Sequence, residues 1–226
     1  NGSVTEGTST TVFVHLDAIP AFVVLVSVAS GTERAVVSPS LLSFNNVTWN
    51  VPQAIELSTA WDYSQTGNAE CAIVLNGTVS ADPLFNGLVG RTNHTCVDID
   101  RAGLWFSNPT ATTTKLRDIS GFALIETLTT VPLGVRLTSK PVQAVTLTLS
   151  ASSSRIHTAH TVFSFNASNW NLTQLVPLTL PDDGASSSME WHTVSMQSAS
   201  VDPLYNSAVT PTTSASERLL LVDISV

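Results

Sequence analysis

The chain has 226 residues and a formal net charge of −8, and 43% of its residues are hydrophobic while only 12% are charged. Its nine Lys and Arg residues are too few for a nucleic-acid partner, because that recognition begins with basic side chains that neutralise phosphates. Ser, Thr and Asn, or sugars attached to them, must therefore supply most of the water-facing surface.

The first part of the chain contains short apolar runs typical of β-strands. Residues 12–16, 22–28 and 53–57 are alternating or continuously apolar and are bounded by Pro, Gly, Asn and Ser. Residues 19–29 are the most apolar stretch, yet they are far shorter than the roughly 20 residues of a membrane span. No segment longer than about ten residues has helical periodicity. We therefore predict an all-β protein without a membrane span.

Six Asn-x-Ser/Thr sequences could accept N-linked glycans. They are Asn1, Asn46, Asn76, Asn93, Asn166 and Asn171. Asn108 is excluded by the proline that follows it. These sequons predict a secreted glycoprotein that is extracellular or attached to the cell surface. No basic, apolar leader precedes Asn1, so we expect any signal peptide to have been removed or to lie outside these residues.

The two cysteines, Cys71 and Cys96, form an even number. In an oxidising compartment they would be joined as a disulfide, whereas the alternative is a pair of buried free thiols. The sequons favour the oxidising compartment and therefore the disulfide. Its loop closure would contribute roughly 3 kcal/mol to stability.

An internal repeat relates the two halves of the sequence. Phe-Asn-Asn-Val-Thr-Trp-Asn begins at residue 44 and recurs as Phe-Asn-Ala-Ser-Asn-Trp-Asn at residue 165, an offset of 121. Apolar positions upstream keep this offset, while an Asp-Pro-Leu-aromatic-Asn element downstream is one residue out of step. The matching segments are residues 16–28 and 137–149, 44–50 and 165–171, and 82–86 and 202–206. We predict two tandem immunoglobulin-like β-sandwich domains, residues 1–100 and 101–226.

Several motifs of the first copy occur in a distinctive order. They are Glu6-Gly7, Trp49-Asn50-Val51-Pro52-Gln53, Asp82-Pro83-Leu84-Phe85-Asn86 and Asp98-Ile99-Asp100. This order resembles the tandem Calx-beta-like, immunoglobulin-like repeats of extracellular adhesins and glycosylated surface-fibre proteins. The resemblance covers most of both copies and implies an adhesive or structural role.

The resemblance also implies calcium ligands at one end of each sandwich, since calcium prefers hard oxygen donors. The corresponding acids are Glu6, Asp62, Asp98 and Asp100 in the first copy, and Glu126, Asp182, Asp183 and Asp223 in the second. Trp61 and Ser225 stand where two further acids would be, which leaves fewer carboxylates than calcium prefers. The alternative is that these acids cap turns and keep the domain ends soluble.

The aromatic residues of the repeat have two interpretations. Trp49 and Trp170 are expected to fill the edge of each core, with sugar stacking as the alternative. Phe85 and Tyr205 are expected to pack beneath a corner that is fixed by Asp and Pro. A carbohydrate-binding module that uses exposed Trp61 or Trp105 is a further hypothesis.

The two copies differ in what precedes them. Residues 101–125 precede the second copy and contain the apolar runs 104–106 and 121–125, with a Thr-rich loop or linker at 108–115 between them. Only residues 1–5 precede Glu6. If the preceding segment supplies a strand, the first copy has an open edge that a preceding module or another subunit must cover. Strand exchange between subunits would build a filament.

The usual catalytic signatures are missing from the sequence. It has no Gly-x-Ser-x-Gly elbow, His-Glu-x-x-His helix, phosphate-binding glycine loop or dinucleotide fingerprint. His157 and His160 lie in a Ser-rich stretch without nearby Cys or Glu, which favours a solvated loop over a metal site. We predict a protein that is not an enzyme.

The sequence favours a structural subunit of an extracellular N-glycosylated fibre or surface appendage, assembling head to tail with copies of itself. The resemblance implies calcium as a ligand, and the sequons predict N-linked glycans. The alternative is a calcium-stiffened adhesion or ligand-binding module of a larger cell-surface protein, with neighbouring repeats of the same chain as its partners.

Overall fold

The computed structural model describes the backbone of residues 2–107, 122–125, 130–184, 190–206 and 214–222. The predicted glycan acceptor Asn1, the predicted ligands Glu126 and Asp223, and the predicted loop at 108–115 lie outside the described residues. The chain divides into two compact units. The first unit contains residues 1–62 and 66–99, and the second contains residues 63–65 and 100–226.

The first unit consists of two β-sheets. Its strands are β1 (Gly2–Thr5), β2 (Ser9–Val14), β3 (Val24–Ser30), β4 (Ala35–Ser38), β5 (Leu41–Phe44), β6 (Gln53–Thr59), β7 (Ala69–Ser80) and β8 (Gly90–Val97). One sheet has the order β1-β8-β7-β3-β5 and the other has the order β2-β6-β4. The pairing of β1 with β8 is parallel, and the remaining pairs are antiparallel.

The second unit repeats this arrangement with one strand more. Its strands are β9 (Leu104–Ser107), β10 (Phe122–Ile125), β11 (Thr130–Leu137), β12 (Val145–Ala151), β13 (His157–Thr158), β14 (Val162–Phe165), β15 (Gln174–Thr179), β16 (Glu190–Ser200) and β17 (Ser214–Val222). The five-stranded sheet has the order β10-β17-β16-β12-β14, and the four-stranded sheet has the order β13-β15-β11-β9. His157 thus lies in a short edge strand, and not in the solvated loop that the sequence predicts.

Alternation of apolar and polar residues creates both cores. In β3, Val24, Val26 and Val28 are buried and the residues between them are exposed, because successive side chains point to opposite faces of a strand. Phe44 and Phe165 are at most 1% exposed at matching positions of the repeat. The described residues of both units therefore form all-β, immunoglobulin-like sandwiches, which confirms the predicted fold class.

A β-bulge explains why the repeat shifts by one residue. In the first unit, Val28 pairs with Leu75 but Val24 pairs with Ser80, so β7 carries one extra residue between these pairs. In the second unit, the β12–β16 ladder runs without such a shift. Gly77, at φ +92°, lies in the bulged segment, where a backbone without Cβ is least strained.

The predicted disulfide joins Cys71 and Cys96, whose Cα atoms are 5.7 Å apart. Cys71 lies on β7 and Cys96 on the neighbouring strand β8, and both are buried in the core of the first unit. The bond therefore fastens two adjacent strands of one sheet.

Candidate assembly edge and acidic cluster

The two units differ at one edge of the smaller sheet. In the second unit, β11 lies between β15 and β9. In the first unit, the equivalent strand β2 pairs with β6, and no strand among the described residues pairs with its other edge. The ladders confirm the equivalence, because Val12 pairs with Ile55 and Leu133 with Val176, both pairs being related by the offset of 121.

Burial follows this difference. Leu133, Val135 and Leu137 of the second unit are 0% exposed. The equivalent residues of the first unit are only partly buried against their core, namely Val12, Val14 and Leu16. The same positions of the same fold are therefore less completely covered in the unit where no described strand corresponds to β9.

Strand β9 supplies this cover in the second unit. It pairs antiparallel with β11, with Phe106 opposite Val135 and Leu104 opposite Leu137. Phe106 is 6% exposed and belongs to the core cluster, and Leu104 packs against that cluster. The predicted apolar run at 104–106 therefore lies in an edge strand whose side chains complete the core of the second unit.

An apolar groove lies beside the uncovered edge of β2. Its cavity of about 180 Å³ is lined by Val12, Val14, Ile55, Ile73 and Leu75, together with Arg91 and Thr92. Arg91 Nη2 lies 2.7 Å from Glu70 Oε1, so the charge on the groove wall already has a partner. The groove therefore suits a neutral, apolar side chain.

The edge of β2 also lacks the usual protection against pairing. Protein edges are commonly short, or carry charge or proline, because bare N–H and C=O groups recruit other strands. β2 has the sequence Ser-Thr-Thr-Val-Phe-Val and six residues, whereas the other edge strands of the described sheets have two to four. The strand is thus well suited to accept a partner.

Two of the predicted metal ligands of the first copy lie close together within the first unit. A carboxylate oxygen of Glu6 lies within 4.8 Å of a carboxylate oxygen of Asp98. Asp98 is 5% exposed, and its Oδ2 accepts hydrogen bonds from the backbone N–H groups of Thr66 and Gly67 at 2.6 and 2.5 Å. The cluster thus presents hard oxygen atoms suited to a cation, while Asp98 also caps a turn.

The remaining predicted ligands have other surroundings. Asp62 is exposed, and its backbone N–H donates a hydrogen bond to Glu6 Oε1 at 2.7 Å. In the second copy, Asp182 accepts a hydrogen bond from Gly184 N at 2.8 Å. Asp183 lies 2.8 Å from Arg155 Nε. This ion pair, which the sequence reasoning missed, gives Asp183 a structural partner that is not a metal.

The predicted corners are present in both copies. Asp82 Oδ2 accepts a hydrogen bond from Ala21 N at 2.8 Å, and Asp202 Oδ2 accepts one from Val142 N at 3.0 Å. Each Asp side chain therefore ties its own turn to the proline turn that precedes the central strand. Phe85 packs against the first core and Tyr205 is buried in the second.

Tyr205 adds polar contacts that Phe85 cannot make. Its hydroxyl donates to Ser139 O at 2.5 Å and accepts from Ser139 N at 3.0 Å. Burial raises the pKa of the Tyr205 phenol above its ordinary value of 10.0, and the hydrogen bonds with Ser139 oppose that shift. The phenol is therefore held neutral inside the second sandwich.

The tryptophans occupy different environments. Trp170 packs against the second core, and its ring centroid lies 5.9 Å from that of Tyr63. Trp49 is partly buried but is not among the residues that pack against the first core, so its role at the core edge stays a prediction. Trp61 is 52% exposed, whereas Trp105 is partly buried. Of the two tryptophans suggested for sugar stacking, Trp61 is thus the more accessible.

The predicted glycan acceptors within the described residues are all on the surface. The exposed side chains are Asn46, Asn76, Asn93, Asn166 and Asn171. Asn166 corresponds by the offset to Asn45, so the sequons of the two copies lie one residue apart. The described part of the chain contains no helix that is long and apolar enough to cross a membrane.

The fold places both halves of the chain in the class of immunoglobulin-like β-sandwiches. No protein-family model and no curated protein sequence matches the chain. Among solved structures, the D0-D1 domain of intimin has a TM-score of 0.31 and 14% identity, covering 96% of this chain and 93% of that one. The calcium-binding domain CBD12 of CALX1.1 has a TM-score of 0.42 and 14% identity, covering 87% and 77%.

A third similar structure is the CsuC–CsuE chaperone–tip adhesion subunit complex of Acinetobacter baumannii Csu pili. It has a TM-score of 0.31 and 9% identity, covering 99% of this chain and 96% of that one. At such values the likeness does not carry a functional argument, since one fold serves many functions. Function has to be argued from the residues of this chain.

Proposed function

We propose that the protein is a structural subunit of an extracellular, N-glycosylated fibre or surface appendage. In this proposal, subunits assemble head to tail because a β-strand of one subunit is added to β2 in the first sandwich of the next. The observation that carries the proposal is the edge of β2, which pairs with no other described strand and lies beside an apolar groove, at the position that β9 covers in the second sandwich.

Strand addition accounts for both the affinity and the geometry of such an assembly. Backbone hydrogen bonds to the free edge and an apolar side chain in the groove are the two contributions that β-augmentation uses. Because the acceptor edge differs from the strand that fills it, the contact is heterologous. A heterologous contact that does not close into a ring propagates as a filament.

Two further features support an extracellular setting. The Cys71–Cys96 disulfide is typical of oxidising compartments. The exposed sequon asparagines leave room for glycans, and mass spectrometry after peptide-N-glycosidase treatment in heavy-oxygen water would report which of them are modified. Native material without a modified sequon would remove the glycan part of the proposal.

The assembly is tested by electron microscopy of the glycosylated full chain. Val14→Glu places a charge at the groove, whereas Thr11→Glu places the same charge on the exposed side of β2 and serves as the matched control. We expect filaments from the unchanged chain and from Thr11→Glu, and dispersed particles from Val14→Glu. The proposal would be contradicted if the unchanged chain stayed dispersed, or if the Val14→Glu variant formed filaments of normal length.

The acidic cluster favours a second candidate function, a calcium-stiffened adhesion or ligand-binding module. Glu6 and Asp98 would supply carboxylate oxygens to the ion. A chelator would then lower the melting temperature by many degrees, and added calcium would restore it. An unchanged melting temperature together with filaments would favour the fibre.

A further inference from the structure

In the second sandwich, the lack of a side chain at Gly134 of β11 leaves space for the Trp105 ring of β9. A Cβ atom at Gly134 would lie 2.7 Å from Cζ3 of Trp105 and 2.8 Å from Cγ2 of Thr173. Such distances are too short for non-bonded carbon atoms. Trp105 of β9 therefore lies across β11 at a point where β11 has no side chain, and its ring also lies 5.3 Å from the guanidinium carbon of Arg136.

The first sandwich lacks this space. Phe13 occupies the position equivalent to Gly134, because Phe13 pairs with Ala54 just as Gly134 pairs with Leu175, at the common offset of 121. Phe13 is 63% exposed on the outer side of β2. A strand seated on β2 in the register of β9 would bring a tryptophan at the position of Trp105 against the Phe13 ring.

The inner side of the edge is apolar in both sandwiches. Val14 corresponds to Val135, which faces Phe106 of β9. The groove beside Val14 lies at the matching place in the first sandwich, and its one charged wall residue, Arg91, is ion-paired with Glu70. The inner side therefore suits the same large apolar anchor, and the outer side does not suit the same aromatic ring.

We infer, on the basis of the proposed strand addition, which strand fits the first sandwich. It runs antiparallel to β2, places a large apolar or aromatic side chain opposite Val14, and carries a small or β-branched side chain opposite His15, where β9 has Trp105. The occupant is a strand of another subunit that differs from β9 at this outer position. Phe13 is the residue that selects it.

Synthetic peptides test this selection on the full chain. The first peptide has the sequence of residues 101–107 with a fluorescent label, the second carries Trp105→Thr, and the third carries both Trp105→Thr and Phe106→Ala. Fluorescence polarisation reports the dissociation constants. We expect the Trp105→Thr peptide to bind about tenfold more tightly than the first, because an overpacked ring costs that much. The third peptide should lose binding.

Variants of the chain separate this inference from the proposed function. Phe13→Gly should bring the first two peptides to within about threefold of each other, whereas Phe13→Ala, which keeps a Cβ where Gly134 has none, should retain part of the difference in affinity. Equal affinities of these peptides for the unchanged chain would overturn the selection by Phe13 while leaving strand addition in place. If no peptide bound the chain, strand addition itself would be overturned.

Discussion

In the second sandwich, β9 covers the edge of β11 and Phe106 completes the core, whereas in the first sandwich the matching edge of β2 has no neighbour within the described ranges. Val135 is consequently fully buried, while the equivalent Val14 is only partly buried. Among the described residues, the two copies of one fold thus differ at this edge by a single four-residue strand, which closes the smaller sheet of the second sandwich.

The largest loss of stability is expected when the β9 side chain that fills the core of the second sandwich is truncated. Phe106→Ala removes a 6% exposed ring, and we expect the free energy of unfolding of the second sandwich to fall by about 3 to 5 kcal/mol. Phe13→Ala, which removes a 63% exposed ring from the first sandwich, should cost less than about 0.5 kcal/mol. Hydrogen exchange during a denaturant titration measures the free energy of unfolding of each sandwich separately, from the β15 amides for the second and the β6 amides for the first. Similar losses would contradict the closed-versus-open comparison.

The disulfide should contribute to the free energy of unfolding of the first sandwich and not to that of the second. Replacing both Cys71 and Cys96 by Ala opens a loop with a sequence separation of 25, and we expect a loss of roughly 3 kcal/mol. Exchange of β7 and β8 amides should accelerate, while β16 amides should keep their protection. Unchanged exchange in β7 would show that the bond does not stabilise this sheet.

An identical substitution at equivalent positions sharpens the comparison. Val135→Ala should destabilise the second sandwich by about 2 kcal/mol, because it removes two fully buried carbon atoms and leaves a cavity. Val14→Ala should cost less than about 1 kcal/mol, since Val14 is only partly covered. The same denaturant titration measures both, and equal costs would mean that the β2 edge is already covered.

A smaller effect than that of Val135→Ala is expected at the corner of the second sandwich. Tyr205→Phe removes the hydroxyl that bonds Ser139, and we expect a loss of about 1 to 2 kcal/mol near neutral pH. Because burial raises the pKa of Tyr205, the unfolded chain releases this proton first as the pH rises. Stability is therefore fully present below pH 10, the ordinary tyrosine value, and falls above it.

Denaturant titrations between pH 8 and 11 check the corner prediction, with the pH range chosen to span the ordinary tyrosine pKa of about 10. The alkaline loss of stability should be smaller in Tyr205→Phe than in the unchanged chain. Phe85→Tyr is the matched control in the first sandwich, where the residue equivalent to Ser139 is Ala18. If the free energy of unfolding fell equally steeply with pH in Tyr205→Phe and in the unchanged chain, the pKa of the phenol would not differ between the folded and unfolded states.

Much of the fold could be predicted because its signals are local. The alternation of Val24, Val26 and Val28, the repeated Phe44 and Phe165, and the Asp-Pro corners each depend on neighbouring residues. The bulge at β7 could be seen only as a one-residue shift in the repeat. The ladder between β3 and β7 was needed to locate the extra residue.

Long-range partners could not be predicted in the same way. The apolar runs at 104–106 and 121–125 look alike in sequence, yet β9 pairs antiparallel with β11 and β10 pairs parallel with β17. The partners of the acidic residues could also be found only from the structure, since Asp98 lies beside Glu6 while Asp183 pairs with Arg155. Gly134 is not part of a recognisable sequence motif. The Trp105 ring, which occupies the space that a side chain at position 134 would need, could be found only from the structure.

The most direct test of the open edge is hydrogen exchange of β2 amides in the isolated chain and in native assembled material. We expect the outward-facing β2 amides to exchange rapidly in the isolated chain and to become protected after assembly, while β11 amides stay protected in both. If the isolated chain ran as a compact monomer in which β2 was as protected as β11, the first sandwich would already be closed, and the account would be wrong.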